Sequence, residues 1–163
     1  TLSSSSAASD VYKRQTATAN GKRCQALGGA KNHAIVMPDA DIDNAVTQLI
    51  GAAFGSSGER CMALSVAVVV GDKTADALIA KMKKAMTDLK VGDYTDNTND
   101  FGPLITKEHK AKVSSCIDSA EKQGATIEVD GRNIVVKGCE EGYFIGGTLI
   151  DLSLIHISRA HET

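Results

Sequence analysis

Cys61 is the residue whose type and setting most suit covalent chemistry. It follows the Gly/Ser-rich turn Gly55-Ser56-Ser57-Gly58, stands in Gly58-Glu59-Arg60-Cys61 and precedes the apolar run Val66 to Val70. Reactive groups gather on loops carried by a rigid scaffold. A nucleophilic thiolate needs access and a lowered pKa, and the adjacent Arg60 guanidinium can help to provide the second. The residues alone leave the other fate of a free cysteine open, that of a small buried hydrophobe. Cys24 in a possible strand, Cys116 on a helix face and Cys139 beside Glu140 read as structural thiols.

Gly28-Gly29-Ala30-Lys31-Asn32-His33 is a second candidate, because tight glycines let backbone approach a ligand. Most double glycines are simply turns, and the segment has neither the G-x-G-x-x-G pattern nor a Walker lysine spacing. His33 and His109 lack the neighbours that would make them ligands or bases. Asp39, Asp41 and Asp43 alternate, but no Gly or Glu completes a calcium loop. They read as a charge cluster at a helix N-terminus. No CxxC pair is present, so no structural zinc site is expected and no metal is assigned.

The elements that must hold these groups follow from hydrophobic periodicity. Thr16 to Asn20, closed by Gly21, reads as a helix end. Arg23 to Leu27 reads as short and extended, and Gly28-Gly29 as a turn. Ala34 to Met37 is a strand closed by Pro38. Ile42, Ala45, Val46, Leu49, Ile50, Ala53 and Phe54 form one apolar helix face, with Asp39 or Asp41 as its cap. Val66 to Val70 is continuous, as in a strand buried on both faces of a parallel sheet. A second amphipathic helix covers Ala75 to Leu89, and a third covers Lys107 to Gln123 with Gly124 at its end. Tyr94 to Phe101 is loop-like. Thr126 to Val129 and Ile134 to Val136 flank Asp130-Gly131, a hairpin signal, and Phe144 to Ile150 is a last strand. Strands alternating with helices indicate an α/β fold.

The 163 residues suffice for one domain of ordinary size. With 42% apolar residues, 23% charged residues and a net charge of −2, the composition is that of a soluble protein without the basic excess that nucleic-acid or acidic-membrane binding needs. No apolar run reaches membrane-helix length, and no signal or transit peptide is visible. Free thiols and the absence of a secretion signal lead to an expected cytoplasmic location, or the mitochondrial matrix in a eukaryote.

Both ends read unlike the rest. Asp10-Val11-Tyr12-Lys13-Arg14-Gln15 can be encoded GAT GTG TAT AAG AGA CAG. The reverse complement translates to Leu-Ser-Leu-Ile-His-Ile, which is residues 152 to 157. The two ends can therefore be opposite strands of one inverted DNA element, of the kind used to prepare sequencing libraries. The expectation is that residues 1–15 and 152–163 are adapter-derived, non-native tails, and that residues 16–151 are an internal piece of a longer protein.

Taken in order, the segments of that core resemble the aldehyde dehydrogenase superfamily. Leu27-Gly28-Gly29-Ala30-Lys31 is similar to its Glu-Leu-Gly-Gly-Lys segment, and Gly58-Glu59-Arg60-Cys61 to its Gly-Gln-x-Cys nucleophile loop. Ile35 to Ile42 and Phe101-Gly102-Pro103-Leu104-Ile105 match two further family segments. The 30-residue step from Lys31 to Cys61 is the family's spacing. Gly29 to His33, Val36 to Ala40, Gly51 to Gly55 and Arg60 to Ser65 are similar to the coenzyme-A-acylating, methylmalonate-semialdehyde dehydrogenase branch. The family's general-base Glu falls at Leu27, which has no proton acceptor. An enzyme that hands its acyl group to a thiol has less need of that base.

The resemblance implies part of an aldehyde dehydrogenase-like catalytic domain, α/β with a parallel sheet and flanking helices. It implies Cys61 as nucleophile, NAD as cofactor and coenzyme A as co-substrate. Gly28 would line the nicotinamide end of the cofactor site. Arg60 would bind the substrate carboxylate, or alternatively pin the loop through a salt bridge to a neighbouring acid. The oxyanion would rest on the Cys61 backbone N–H and on an Asn upstream of this chain. The expected partner is a small-molecule semialdehyde, with no nucleic acid or membrane, and the parent would be a homo-oligomer. The nucleotide-binding half lies outside residues 16–151, so the chain alone is expected to be inactive. A hydrolytic aldehyde dehydrogenase and a non-catalytic α/β interaction module are the competing readings.

Overall fold

A computed structural model describes residues 5–25 and 31–151 of the chain. The elements in order are α1 (Ser5–Ala19), β1 (Asn32–Val36), α2 (Ile42–Phe54), β2 (Leu64–Val69), α3 (Asp72–Thr87), α4 (Lys107–Lys122), β3 (Thr126–Val129) and β4 (Leu149–Asp151). A short 3₁₀ turn, Gly55–Gly58, joins α2 to the segment before β2. The fold is α/β, as the alternation of patterns implies.

Local chemistry explains the helices. Asp41 caps α2, and its Oδ1 accepts from the backbone N–H groups of Asp43 at 3.0 Å and Asn44 at 3.1 Å. Thr106 caps α4 by accepting from the His109 N–H at 3.1 Å. Gly21, with φ of 64°, follows α1, which runs unbroken across the boundary between residues 15 and 16. Arg23, Cys24 and Gln25 adopt no regular element, and the remainder of that expected extended piece, with the Gly28-Gly29 turn, lies outside the described residues.

Strands β1 and β2 pair in parallel, with α2 as the crossover. Val36, Val46, Leu49, Leu78, Met82 and Met86 make the main core, which seals α2 and α3 against one face of this pair. The other face is open: Ile35 is 70% exposed, and Met37, Val68 and Val70 are exposed too. This corrects the expectation of a strand buried on both faces. A parallel strand is covered twice only when helices flank both sides of its sheet, and among the described residues they flank one.

The Asp130-Gly131 hairpin does not form either. β3 pairs antiparallel with β4, and residues 134–136 form no strand. Asp130 instead closes a local turn, accepting from the Arg132 N–H at 2.9 Å. Gly131 continues the β3 line: its carbonyl accepts from the Gly146 N–H at 2.8 Å, and its N–H donates to Thr148 Oγ1 at 3.1 Å. A β-carbon at Gly131 would run into the Gly146 backbone, so glycine serves close approach here. Of the expected strand Phe144 to Ile150, only the end pairs, as part of β4, although Phe144 and Ile145 are buried. Leu104, Ile117 and Ile145 form a second small core under α4.

Candidate active site

α2 delivers the chain to the loop that carries Cys61, and the loop then reverses within a few residues. Ser56, Ser57 and Gly58 all take left-handed backbone, with φ of 56°, 55° and 72°. Such conformations are strained for non-glycine residues and persist where surrounding contacts hold them. One of those contacts is visible: the Ser57 hydroxyl donates to the Gly102 carbonyl at 2.7 Å. The Phe101-Gly102-Pro103-Leu104-Ile105 segment thereby anchors the loop from 45 residues away.

Three further ties follow in sequence. Glu59 pairs with His109 of α4, Oε1 to Nε2 at 3.4 Å. Arg60 Nη2 donates to the carbonyls of Gly51 at 2.5 Å and Ala52 at 3.3 Å, near the C-terminal end of α2. A cation suits that end, where the helix dipole is negative, and Arg60 adds a second donor to the Gly51 carbonyl, which also accepts from the Gly55 N–H. The Ala63 N–H then donates to the Arg60 carbonyl at 3.0 Å and closes a tight turn with Cys61 and Met62 at its centre.

Cys61 is exposed on that turn, beside an open cleft of about 620 Å³. Thr47, Gln48 and Gly51 of α2 line the cleft with Arg60, Cys61 and Met62. Among the described residues of that lining Arg60 carries the one cationic side chain, so the site offers a thiol and a guanidinium to a small ligand with an anionic end.

Of the three residues singled out from sequence, Cys61 and Arg60 are brought to one cleft, while Gly28 lies outside the described residues, as does Leu27. The alternative for Arg60, a salt bridge to a neighbouring acid, is replaced by the helix carbonyls. Cys24 and Cys116 are exposed, not buried as the structural reading required. On α4 the neighbouring Ile117 takes the core-facing position and turns Cys116 outward. Cys139 is half-buried. His33 Nδ1 lies 2.9 Å from the Lys31 carbonyl. His109 has the Glu59 partner that periodicity gave no sign of.

Sequence reasoning included Asn32 in the Gly28 to His33 segment but gave it no role of its own. Its Nδ2 donates to the Cys61 carbonyl at 3.0 Å and to the Ala63 carbonyl at 2.9 Å. Its signal was its place in that segment, three residues after Gly29.

A family model for the aldehyde dehydrogenase family matches residues 2–157. The malonate-semialdehyde dehydrogenase of Pseudomonas aeruginosa is 60% identical over 134 residues, covering 82% of this chain and 27% of that protein. The crystal structure of methylmalonate-semialdehyde dehydrogenase from Oceanimonas doudoroffii superposes with a TM-score of 0.78 at 68% identity, over 88% of this chain and 30% of that one. A Sinorhizobium meliloti protein described as a methylmalonate-semialdehyde dehydrogenase, in complex with NAD, gives 0.78 at 52% identity, over 88% and 29%. The chain thus spans between a quarter and a third of the length of these relatives.

Proposed function

The chain belongs to the aldehyde dehydrogenase family, and on that premise we propose that it is the nucleophile-bearing part of an NAD-dependent, coenzyme-A-acylating malonate- or methylmalonate-semialdehyde dehydrogenase. The observation that carries this reading is the exposed Cys61 thiol sharing one cleft with Arg60. The names of the similar proteins support the same substrate class.

The Cys61 thiolate attacks the aldehyde carbon and gives a thiohemiacetal. The oxyanion that develops is held by the Cys61 backbone N–H, together with an Asn outside this chain. Arg60 receives the substrate carboxylate, for which its planar fork is suited. NAD, when bound, accepts the hydride. The acyl group passes from Cys61 to the thiol of coenzyme A as the Cys61 Sγ–C bond breaks and the thiol is regenerated, and the substrate carboxylate leaves as carbon dioxide or bicarbonate, its carbon taking up a proton.

The described residues do not themselves fit the phosphate end of a dinucleotide. The β1–α2 connection, Met37 to Asp41, contains no glycine, and α3 opens on the acidic Asp72 after β2. The pyrophosphate therefore belongs to another part of the whole protein, and Gly28 is retained as the contact at the nicotinamide end. Residues 1–15 and 152–163 remain assigned as non-native, and a cytoplasmic homo-oligomer is part of the same reading.

The test is product analysis with the whole protein. Malonate semialdehyde, NAD and coenzyme A should give acetyl-coenzyme A and NADH, and Cys61→Ala should abolish both. Equal NADH formation without coenzyme A, with a free acid as product, would instead establish the hydrolytic reaction.

A further inference from the structure

We propose that Asn32 is a positioning residue for Cys61, holding the nucleophile's peptide in the orientation that acyl transfer requires. The proposal rests on the reading of Cys61 as the nucleophile. Asn32 opens β1, and the β1–β2 register breaks there: Asn32 lies opposite Leu64, while His33 lies opposite Val66. Where the ladder loses its regular step, the Asn32 side chain supplies the connection. Its amide nitrogen carries two hydrogens, and two carbonyls, those of Cys61 and Ala63, lie at 3.0 and 2.9 Å. They belong to the same turn that the Ala63 N–H closes on the Arg60 carbonyl. The Ala63 N–H holds the Arg60–Cys61 peptide, which carries the Cys61 N–H, and Asn32 holds the following peptide through the Cys61 carbonyl. With both flanking peptides held, φ and ψ of Cys61 are fixed, and so is the direction of its N–H relative to the Cα–Cβ bond that bears the thiol.

The requirement is for a donor of this length. An aspartate is the same size but presents only acceptors to two carbonyls when ionised, and an alanine presents nothing. Acylation of Cys61 needs the thiol and the oxyanion-holding N–H to be aligned, since donors must already point to where charge develops. Direct displacement at an alkyl halide develops no oxyanion and needs the thiolate alone. The two reactions therefore separate alignment from mere access.

The experiment compares these reactions on the whole protein, which carries the upstream oxyanion Asn, with modification at each cysteine quantified by peptide mass analysis. 4-Nitrophenyl acetate transfers its acetyl group to Sγ as nitrophenolate leaves and the thiol proton passes to buffer. Iodoacetamide forms the S–C bond as iodide departs. The exposed Cys116 is the internal reference. In the wild type, the ratio of acylation to alkylation should be higher at Cys61 than at Cys116. Asn32→Ala and Asn32→Asp should each cut Cys61 acylation about tenfold and leave its alkylation within about twofold. An unchanged ratio in a variant with the wild-type circular dichroism spectrum would overturn the role of Asn32 and leave Cys61 as nucleophile. Loss of that spectrum in both variants would assign Asn32 to folding and overturn the proposal. A wild-type ratio no higher at Cys61 than at Cys116 would overturn the nucleophile reading itself, and the positioning role with it.

Discussion

The guanidinium of Arg60 passes Gly55 so closely that a β-carbon there would lie 2.7 Å from Nη2. Gly55 has φ of −53° and ψ of 133°, which any residue can adopt, so glycine is needed for the passage and not for the backbone. The glycine after α2 and the arginine before Cys61 thus form one device that lays the guanidinium on the Gly51 and Ala52 carbonyls.

Gly55→Ala should displace Arg60 while the fold persists, because the obstructed atoms are the far end of a flexible side chain. The cost in stability should be about 1 kcal/mol, the net worth of the exposed guanidinium contacts to the Gly51 and Ala52 carbonyls. Denaturant titrations of Gly55→Ala, Arg60→Leu and the double variant check this. The two single effects should fail to add, as they do for residues acting through one contact.

Arg60→Leu in the whole protein should weaken use of malonate semialdehyde roughly 10- to 150-fold, the range for a lost charge-assisted hydrogen bond, and use of propanal far less. Steady-state kcat/KM for both aldehydes decides it. An equal loss with both would leave Arg60 as the clamp on α2 alone.

The 163-residue chain should show no turnover of its own. It spans 27% of its Pseudomonas aeruginosa relative, and its described residues provide no pyrophosphate cradle. Without a bound acceptor beside the thiohemiacetal, the proximity contribution to hydride transfer is absent. Steady NADH production by the purified chain would contradict this.

Two substitutions rank the forces that hold the cleft wall. Leu78→Ala, at a side chain 3% exposed in the core between α2 and α3, should cost about 2–5 kcal/mol. Asp41→Ala removes the α2 cap and should cost about 1 kcal/mol. Chemical denaturation of the chain measures both, and the reverse order would show that the core contributes less than its burial suggests.

Arg132 links α4 to the segment after β3, pairing with Asp118, Glu121 and Asp130. Its hydrogen bonds hold the Asp130 carboxyl below the ordinary aspartate value. A depressed folded-state pKa contributes stability that is present above the unfolded pKa and is lost as pH falls through the folded one. Arg132→Leu should therefore destabilise the chain near pH 7 and narrow its deficit to the wild type as Asp130 protonates, below about pH 4. Urea titrations across that range give the sign. A deficit independent of pH would assign the effect of Arg132 to packing.

Helices α2, α3 and α4 were legible because each is written locally. The apolar spacing from Ile42 to Phe54 and the cap at Asp41 are statements about neighbours along the chain, and α2 follows them. The loop around Cys61 was legible for a similar reason, a Gly/Ser turn before an apolar strand, whereas its residues left open whether the thiol is exposed, as it is. The partner of β3 was not, since Asp130-Gly131 suits a hairpin locally and the winning partner begins at Leu149. Nor was the open face of β2, because apolar residues record an affinity for burial without naming what covers them. The ties that shape the site were the least legible. Asn32 reaches Cys61 across 29 residues, and Ser57 reaches Gly102 across 45. Each is a side chain meeting a backbone carbonyl, and every residue has a carbonyl, so residue type gives no hint of the partner. Only the packing of β1, α2, α4 and the loops between them brings those groups within hydrogen-bonding distance.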